Sequence, residues 1–111
     1  MKKSIIVPVY NEEGNIGNLI DKINNKLEND DELIVVNDGS TDNTDLEIKS
    51  KNCILISLLE NKGKGFAMRK GILQATGDLI IFMGGDGQDD PNEIDNLLEE
   101  INNGNDYVIG S

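Results

Sequence analysis

The stretch ELIVVNDGSTD, residues 32–42, decides the fold class of this sequence. Its first half is a continuous aliphatic run, which predicts a strand over 32–37 that is buried on both faces. Its second half is turn chemistry, and a residue within 40–42 is the expected N-cap of a short helix that continues to about Lys49. A buried strand that turns directly into a helix is the repeating unit of a parallel α/β sheet.

The same alternation extends on both sides of that stretch. Before it, a strand over 4–9 precedes a helix over 14–28, in which apolar residues recur at helical spacing. After it we expect strand 53–57, helix 66–75, strand 78–83, a helix that starts at Asp90-Pro91, and strand 106–110. Right-handed crossovers between such strands predict an α/β fold, a Rossmann-like parallel sheet with helices on both faces.

Composition narrows the function classes. The 111 residues are the length of one domain, and 10 basic against 21 acidic residues give a net charge of −11, which argues against nucleic acid as the main partner. The absence of His and the single Cys exclude imidazole-based mechanisms, most zinc sites and a disulfide framework. No apolar run approaches the ~20 residues that span a bilayer. Residues 71–111 hold nine acidic residues and no basic one. We expect most of these acidic residues to form a solvated face.

Four polar loops follow the predicted strands, over residues 8–13, 37–42, 58–65 and 84–90. The carboxyl ends of parallel strands meet at one rim of the sheet, where ligands of such folds bind. The sequence has neither the G-x-G-x-x-G fingerprint after its first strand nor a P-loop. A ligand at this rim is therefore recognised by neither of these two motifs.

The fourth loop is rich in oxygen ligands. Asp86, Gln88, Asp89 and Asp90 lie within five residues, and carboxylate and amide oxygens suit Mg²⁺ or Mn²⁺. Asp90 is better explained as the cap of the helix that follows, since Pro91 suits the first helical position. Asp86 has no such explanation and is the stronger metal candidate.

A cluster of basic residues precedes the acidic end of the chain. Lys62, Lys64, Arg69 and Lys70 can neutralise a phosphate-rich ligand. We expect Lys70 on the solvent side, and an exposed loop explains Lys62 and Lys64 equally well. Of the four, Lys64 and Arg69 are the two that we predict to bind the ligand.

Four motifs in order carry a family resemblance: IIVPVYNEE at 5–13, VNDGSTD at 36–42, NKGKG at 61–65 and GDGQDDP at 85–91. Together they resemble the family 2 glycosyltransferases of GT-A fold, and among them the polyprenyl-phosphate sugar transferases of the dolichyl-phosphate mannose synthase type. The resemblance implies a metal-dependent enzyme with Mg²⁺ or Mn²⁺. It would transfer a hexose with inversion from a UDP- or GDP-sugar to polyprenyl phosphate or a surface glycan.

The resemblance also implies roles for single residues. Pro8, Tyr10 and Glu12 would hold the nucleotide base, Asp38 would contact the base or the ribose, and Arg69 would approach the diphosphate. The family's usual pair of acids in the second loop is Asn-Asp here, because Asn37 replaces the first acid.

In the fourth loop the resemblance assigns Asp86 and Gln88 to the metal and the donor. The first acid of the family's D-x-D motif is replaced by Gly84. A glycine supplies no ligand, so we expect weaker metal binding or lower activity than in members that have both acids.

The family's catalytic domain is about twice as long as this chain. The resemblance therefore implies that residues 1–111 are the nucleotide-sugar-binding half, without the acceptor-binding half that supplies the catalytic base, and no catalytic residue is assigned. Two alternatives stay open: a non-catalytic nucleotide-binding module, and a half-domain that completes its sheet with another chain, such as a second copy, through the edge at 106–110. The expected location is cytoplasmic, at the membrane surface in the full-length protein.

Overall fold

The computed structural model describes residues 2–84 and the backbone of a strand at 108–109. The elements are β1 (Lys3–Val9), α1 (Ile16–Asn24), β2 (Glu32–Asn37), α2 (Thr44–Lys49), β3 (Ile54–Ser57), α3 (Lys64–Gln74), β4 (Leu79–Phe82) and β5 (Val108–Ile109). Strands and helices alternate through the first 82 residues, as the aliphatic runs predict.

The strands form one parallel sheet in the order β3-β2-β1-β4-β5. The α/β fold class is confirmed. β1 is central, with Ile6 opposite Ile34 of β2 on one side and Phe82 of β4 on the other. The chain advances outward from β1 through β2 to β3 and then returns to place β4 on the opposite side of β1. The order of strands reverses at that point, which is where ligands bind in open α/β sheets.

Helices cover both faces of the sheet. On one face the buried stripe of α1 and Ile48 of α2 pack with alternate residues of β1, β2 and β4. On the other face α3 packs over β1 and β2 through Ala67 and Gly71. A Cβ on Gly71 would overlap the Ile6 side chain, so glycine permits this close approach of helix and sheet.

Three predicted helices have wrong boundaries. α1 occupies 16–24 rather than 14–28. It starts late because Gly14 has a φ of 90°, which is not helical. It ends early because the backbone amide of Lys26 donates to the carbonyl of Ile23, a tighter turn than that of an α-helix. The N-cap of α2 is Asn43 rather than a residue within 40–42, and it makes no side-chain cap. α3 begins two residues early, at Lys64.

The predicted strand over 106–110 is present in part as β5, which pairs with β4. The predicted helix after Pro91 lies outside the described residues. Within the described part of the chain, no helix is long and apolar enough to cross a bilayer.

Candidate functional site

A pocket of about 300 Å³ lies at the carboxyl ends of the central strands. All four strand-following segments contribute to it: the end of β1 and the loop after it, the residue after β2, the loop into α3, and Gly84 after β4. Its lining consists of Pro8, Val9, Tyr10, Glu12, Asp38, Asn61, Gly63, Lys64 and Gly84.

The first loop (residues 8–13) and the second loop (residues 37–42) are joined by reciprocal hydrogen bonds. The Asn11 amide donates to Ser40 Oγ at 2.9 Å, and the Thr41 amide donates to Asn11 Oδ1 at 2.8 Å. Asn11 has a φ of 51°, a conformation that asparagine tolerates better than most residues. The Glu12 amide adds a bond to Thr44 Oγ1 at 2.9 Å. These bonds fix the backbone that carries Tyr10 and Glu12 into the pocket.

The second loop also holds the third loop (residues 58–65, of which the last two belong to α3). The amides of Lys62 and Gly63 donate to the two carboxylate oxygens of Asp38, at 2.7 and 3.0 Å. Gly39 has a φ of 71°, and a Cβ there would overlap the backbone of Glu60 and Asn61. The second loop is therefore the central piece of the rim, with one neighbouring loop bonded to each side.

Asn37, the residue that departs from the family's usual acid pair, is buried at the end of β2. Its amide nitrogen donates to Asp45 Oδ1 at 3.0 Å, and its amide oxygen accepts hydrogen bonds from the Ser40 backbone and hydroxyl. The pKa of Asp45 lies below its usual value, mainly because its carboxylate accepts a hydrogen bond from the Ser57 hydroxyl. Burial acts to raise this pKa, and the contacts with Asn37 and Lys49 lower it further. An amide suits this position because it both donates and accepts.

Positive charge reaches the pocket at the start of α3. Lys64 is the first residue of the helix, it is exposed, and it lines the pocket. The first amides of a helix have no partner within the helix and carry partial positive charge. Lys62 is paired instead with Glu60. This end of the pocket can therefore attract an anionic group.

The structure brings together five of the predicted donor-binding residues: Pro8, Tyr10, Glu12, Asp38 and Lys64. Arg69 is not part of the lining; it is exposed on α3, with its guanidinium carbon 6.0 Å from the centre of the Phe66 ring. The roles of these residues stay predictions. Asp86 and Gln88 lie outside the described residues.

The pocket alone does not supply a metal cage. Within residues 2–84 and 108–109, no three Asp, Glu, Cys or His side chains stand close enough to hold an ion. Glu12 offers a carboxylate of the right kind, whereas both oxygens of Asp38 already accept backbone hydrogen bonds. The lining reaches Gly84, two residues before Asp86 in the chain. The predicted metal ligands, Asp86 and Gln88, follow it in the sequence.

Sequence reasoning missed several pocket and rim residues. Val9 and Asn61 line the pocket without a predicted role, and Asn11 and Ser40 bond the first and second loops together. The signal for these residues in the sequence was that they lie within the polar motifs that follow the strands. Their partners lie about 30 residues away in sequence, which no local pattern reveals.

The chain matches the family model described as Glycosyl transferase family 2 over residues 4–111. It is 39% identical over 116 aligned positions to the dolichol-phosphate mannosyltransferase of Pyrococcus furiosus, covering 100% of this chain and 33% of that protein. It is 38% identical to the undecaprenyl-phosphate 4-deoxy-4-formamido-L-arabinose transferase of Proteus mirabilis, covering 96% and 36%. The chain thus spans about a third of the length of these relatives.

Solved structures share the fold. The glucosyl-3-phosphoglycerate synthase of Mycobacterium tuberculosis in complex with Mn²⁺ and uridine-diphosphate-glucose superposes with a TM-score of 0.79 at 26% identity, covering 93% of this chain and 40% of that one. The complex of that enzyme with Mg²⁺ and uridine-diphosphate gives a TM-score of 0.77 at 26% identity, covering 90% and 39%.

Proposed function

The chain belongs to glycosyl transferase family 2, and from that premise we propose that its pocket binds a nucleotide-diphosphate-sugar donor. The observation that carries the proposal is the convergence of all four rim segments on one pocket that ends at Lys64 and the start of α3. A nucleotide donor needs a surface for a base at one end and positive charge for a diphosphate at the other. The pocket offers both.

The base end is the first loop. Tyr10 is 45% exposed beside Pro8, so its ring is accessible to a planar ligand, and Glu12 is only partly exposed. Aromatic rings stack on nucleobases at a gain of about 1–3 kcal/mol per base. The first loop is held by its bonds to the second, so little order has to be gained when a base binds.

The diphosphate end is Lys64 with the first turn of α3. These groups would stabilise the negative charge that develops on the leaving nucleoside diphosphate. Mg²⁺ or Mn²⁺, when bound, would supply further positive charge there, and Asp86 and Gln88 are the residues we propose to hold it. The related structures, which hold Mg²⁺ with uridine-diphosphate or Mn²⁺ with uridine-diphosphate-glucose, support the use of a divalent metal ion with such a donor.

We propose polyprenyl phosphate as the acceptor, on the basis of the lipid phosphates in the names of both curated relatives. One of its phosphate oxygens would attack the anomeric carbon of the sugar as the nucleoside diphosphate departs, with inversion at that carbon. A phosphate acceptor is already anionic and scarcely needs a strong base. The sugar and the choice of UDP or GDP belong to the same proposal.

A lipid acceptor implies a place of action. We propose that the full-length protein works at the cytoplasmic surface of a membrane, where it meets polyprenyl phosphate. Co-sedimentation of the full-length protein with vesicles that contain polyprenyl phosphate would detect this association. Equal recovery with and without the lipid phosphate would contradict it.

Calorimetric titration of the 111-residue chain with UDP, GDP and the corresponding sugar nucleotides, in the presence of Mn²⁺, tests donor binding. We expect saturable binding of at least one nucleoside diphosphate. Lys64→Ala should weaken it by about tenfold, the size expected for one charge-assisted contact.

Lys22→Ala is the matched control, because it removes the same charge from the exposed end of α1. It should leave the affinity unchanged. The absence of heat with every nucleotide would refute the proposed function. An equal loss of affinity in Lys64→Ala and Lys22→Ala would show that the net charge of the protein, rather than a contact in the pocket, causes the loss.

A further inference from the structure

Glu47 is a half-buried residue of α2 whose carboxylate faces the start of α1. One of its oxygens accepts the Gly14 amide at 2.7 Å and the other accepts the Gly17 amide at 2.5 Å. A Cβ on Gly17 would stand 3.0 Å from Glu47 Oε2, so glycine permits this close approach. The carboxylate thus ties the beginning of α1 to α2.

The start of α1 is not capped by its own side chains. Its N-cap, Asn15, makes no side-chain cap, and its first turn holds no acidic residue. The first amides of a helix have no partner within the helix, and a negative charge beside them is stabilising. Glu47 supplies both an acceptor and that charge from a different helix.

The same turn fixes the backbone of Glu12, which lines the pocket. The Glu12 carbonyl accepts the amides of Asn15 at 3.1 Å and Ile16 at 3.0 Å. These two amides lie in the chain between the two that Glu47 holds. The Glu12 amide donates to the hydroxyl of Thr44, the first residue of α2. Both polar groups of the Glu12 backbone therefore depend on the joint between α1 and α2.

We propose that Glu47 is a positioning residue for the base end of the pocket. By holding the Gly14 and Gly17 amides, it sets the backbone that carries Glu12 and Tyr10. Glu47 is not part of the pocket lining, so it acts through the first loop. A loop that is already ordered costs less free energy when a base binds, and these hydrogen bonds therefore contribute to base affinity. This inference rests on the proposed function for its ligand.

The test compares two ligands that share only the diphosphate. Glu47→Gln keeps the length of the side chain, but one of its two terminal atoms becomes a donor that faces a backbone amide. In calorimetry with Mg²⁺, we expect it to weaken the binding of UDP, or of GDP if the native chain prefers GDP, by about fivefold. The affinity for inorganic pyrophosphate should stay unchanged, because pyrophosphate occupies only the end at Lys64.

A merely structural role for Glu47 predicts different results. Loosening of the whole fold would lower the affinities for the nucleotide and for pyrophosphate by the same factor. A contribution to helix packing alone would change neither affinity. Either outcome would overturn the proposal. Glu28→Gln, the same change at an exposed residue before β2, is the matched control and should leave both affinities unchanged.

Measurements without ligand separate this proposal from the proposed function. Glu47→Gln should speed hydrogen exchange at the Gly14 and Gly17 amides and shift the NMR signal of the Glu12 amide. Exchange at the Gly63 amide, which Asp38 holds, should stay unchanged. An unshifted Glu12 signal would refute the positioning role. Failure of the native chain to bind any nucleotide would refute the donor proposal, and the Glu12 signal would still show whether Glu47 positions the first loop.

The native chain carries the test if Glu47→Gln does not fold. Coupling between two sites is reciprocal, so a base whose binding depends on these hydrogen bonds must also stabilise them. The bound nucleotide should therefore slow hydrogen exchange at Gly14 and Gly17 more than bound pyrophosphate does. Equal exchange rates with the two ligands would overturn the proposal.

Discussion

At the scale of single residues, the most informative position is Asn37, where the family's usual motif has an acid. The Asn37 amide donates to Asp45, whose carboxylate also accepts from Ser57 and pairs with Lys49 at 3.0 Å. A carboxylate at residue 37, which is buried, would face the half-buried carboxylate of Asp45. The local sequence of α2 thus explains why this chain has an amide there.

We predict that Asn37→Asp destabilises the fold by about 2 kcal/mol at neutral pH, through lost hydrogen bonding and like-charge repulsion. Urea unfolding measures the change. Adding Asp45→Asn restores a donor and acceptor pair, so the double variant should be more stable than the sum of the single effects predicts. Strict additivity of the two changes would show that residues 37 and 45 do not interact.

The residue-level roles were only partly predictable. The sequence correctly places five donor-binding candidates around one pocket, because strand ends in a parallel sheet meet at one rim. It could not show that Asp38 faces the third loop, since its partners are 24 and 25 residues away. It also could not show that Arg69 stands beside the Phe66 ring outside the pocket lining.

At the scale of elements, Glu32 ties the start of β2 to two neighbouring segments. The Ser4 hydroxyl of β1 donates to Glu32 at 2.6 Å, and the Thr76 amide, between α3 and β4, donates at 2.7 Å. Burial acts to raise the pKa of Glu32. The hydrogen bonds from Ser4 and Thr76, with the charge of Lys2, outweigh it and lower the pKa below its usual value.

A lowered pKa makes the contribution of Glu32 to stability dependent on pH. The folded state holds the proton less tightly than the unfolded chain does, so the stabilisation is present above the ordinary carboxyl pKa and is lost as pH falls through the folded value. We predict that Glu32→Gln costs about 1–2 kcal/mol at neutral pH, and that the cost shrinks as pH falls below the ordinary carboxyl pKa and through the lowered pKa of Glu32.

Urea unfolding of both proteins across this pH range provides the measurement. Glu28→Gln, a change of the same kind at an exposed residue, is the matched control and should have little effect at any pH. A cost for Glu32→Gln that stayed constant with pH would mean that the charge of Glu32 plays no part.

The elements themselves were predicted well where aliphatic runs are continuous, as over 32–37, which is β2 without correction. Helix ends were predicted less well. The apolar spacing in α1 continues to Leu27, which packs against the core although the helix ends at Asn24. Apolar periodicity reports burial, and a residue after the last helical turn can be buried too.

At the scale of the whole molecule, the net charge of −11 opposes the approach of any anionic ligand. Lys64 and the start of α3 give local attraction, but the described residues lack a set of carboxylates able to hold a metal ion. A divalent cation would bridge an acidic protein and a diphosphate. On the proposed function we therefore expect donor binding to depend on a divalent metal ion.

We predict that replacing Mn²⁺ by EDTA at matched ionic strength lowers UDP affinity by at least about tenfold, because an ion bridge adds more than one charge-assisted contact. Uridine, which has no phosphate, should bind equally in both conditions. Calorimetry in the two buffers gives the ratio of the UDP affinity with Mn²⁺ to that with EDTA.

Gly84→Asp places a carboxylate where the family's motif has one, at the pocket edge, and should increase that ratio. Asparagine has nearly the size of aspartate without its charge, so Gly84→Asn should not increase the ratio. Equal UDP affinity with Mn²⁺ and with EDTA in all three proteins would show that this chain binds its donor without metal, through Lys64 and α3 alone.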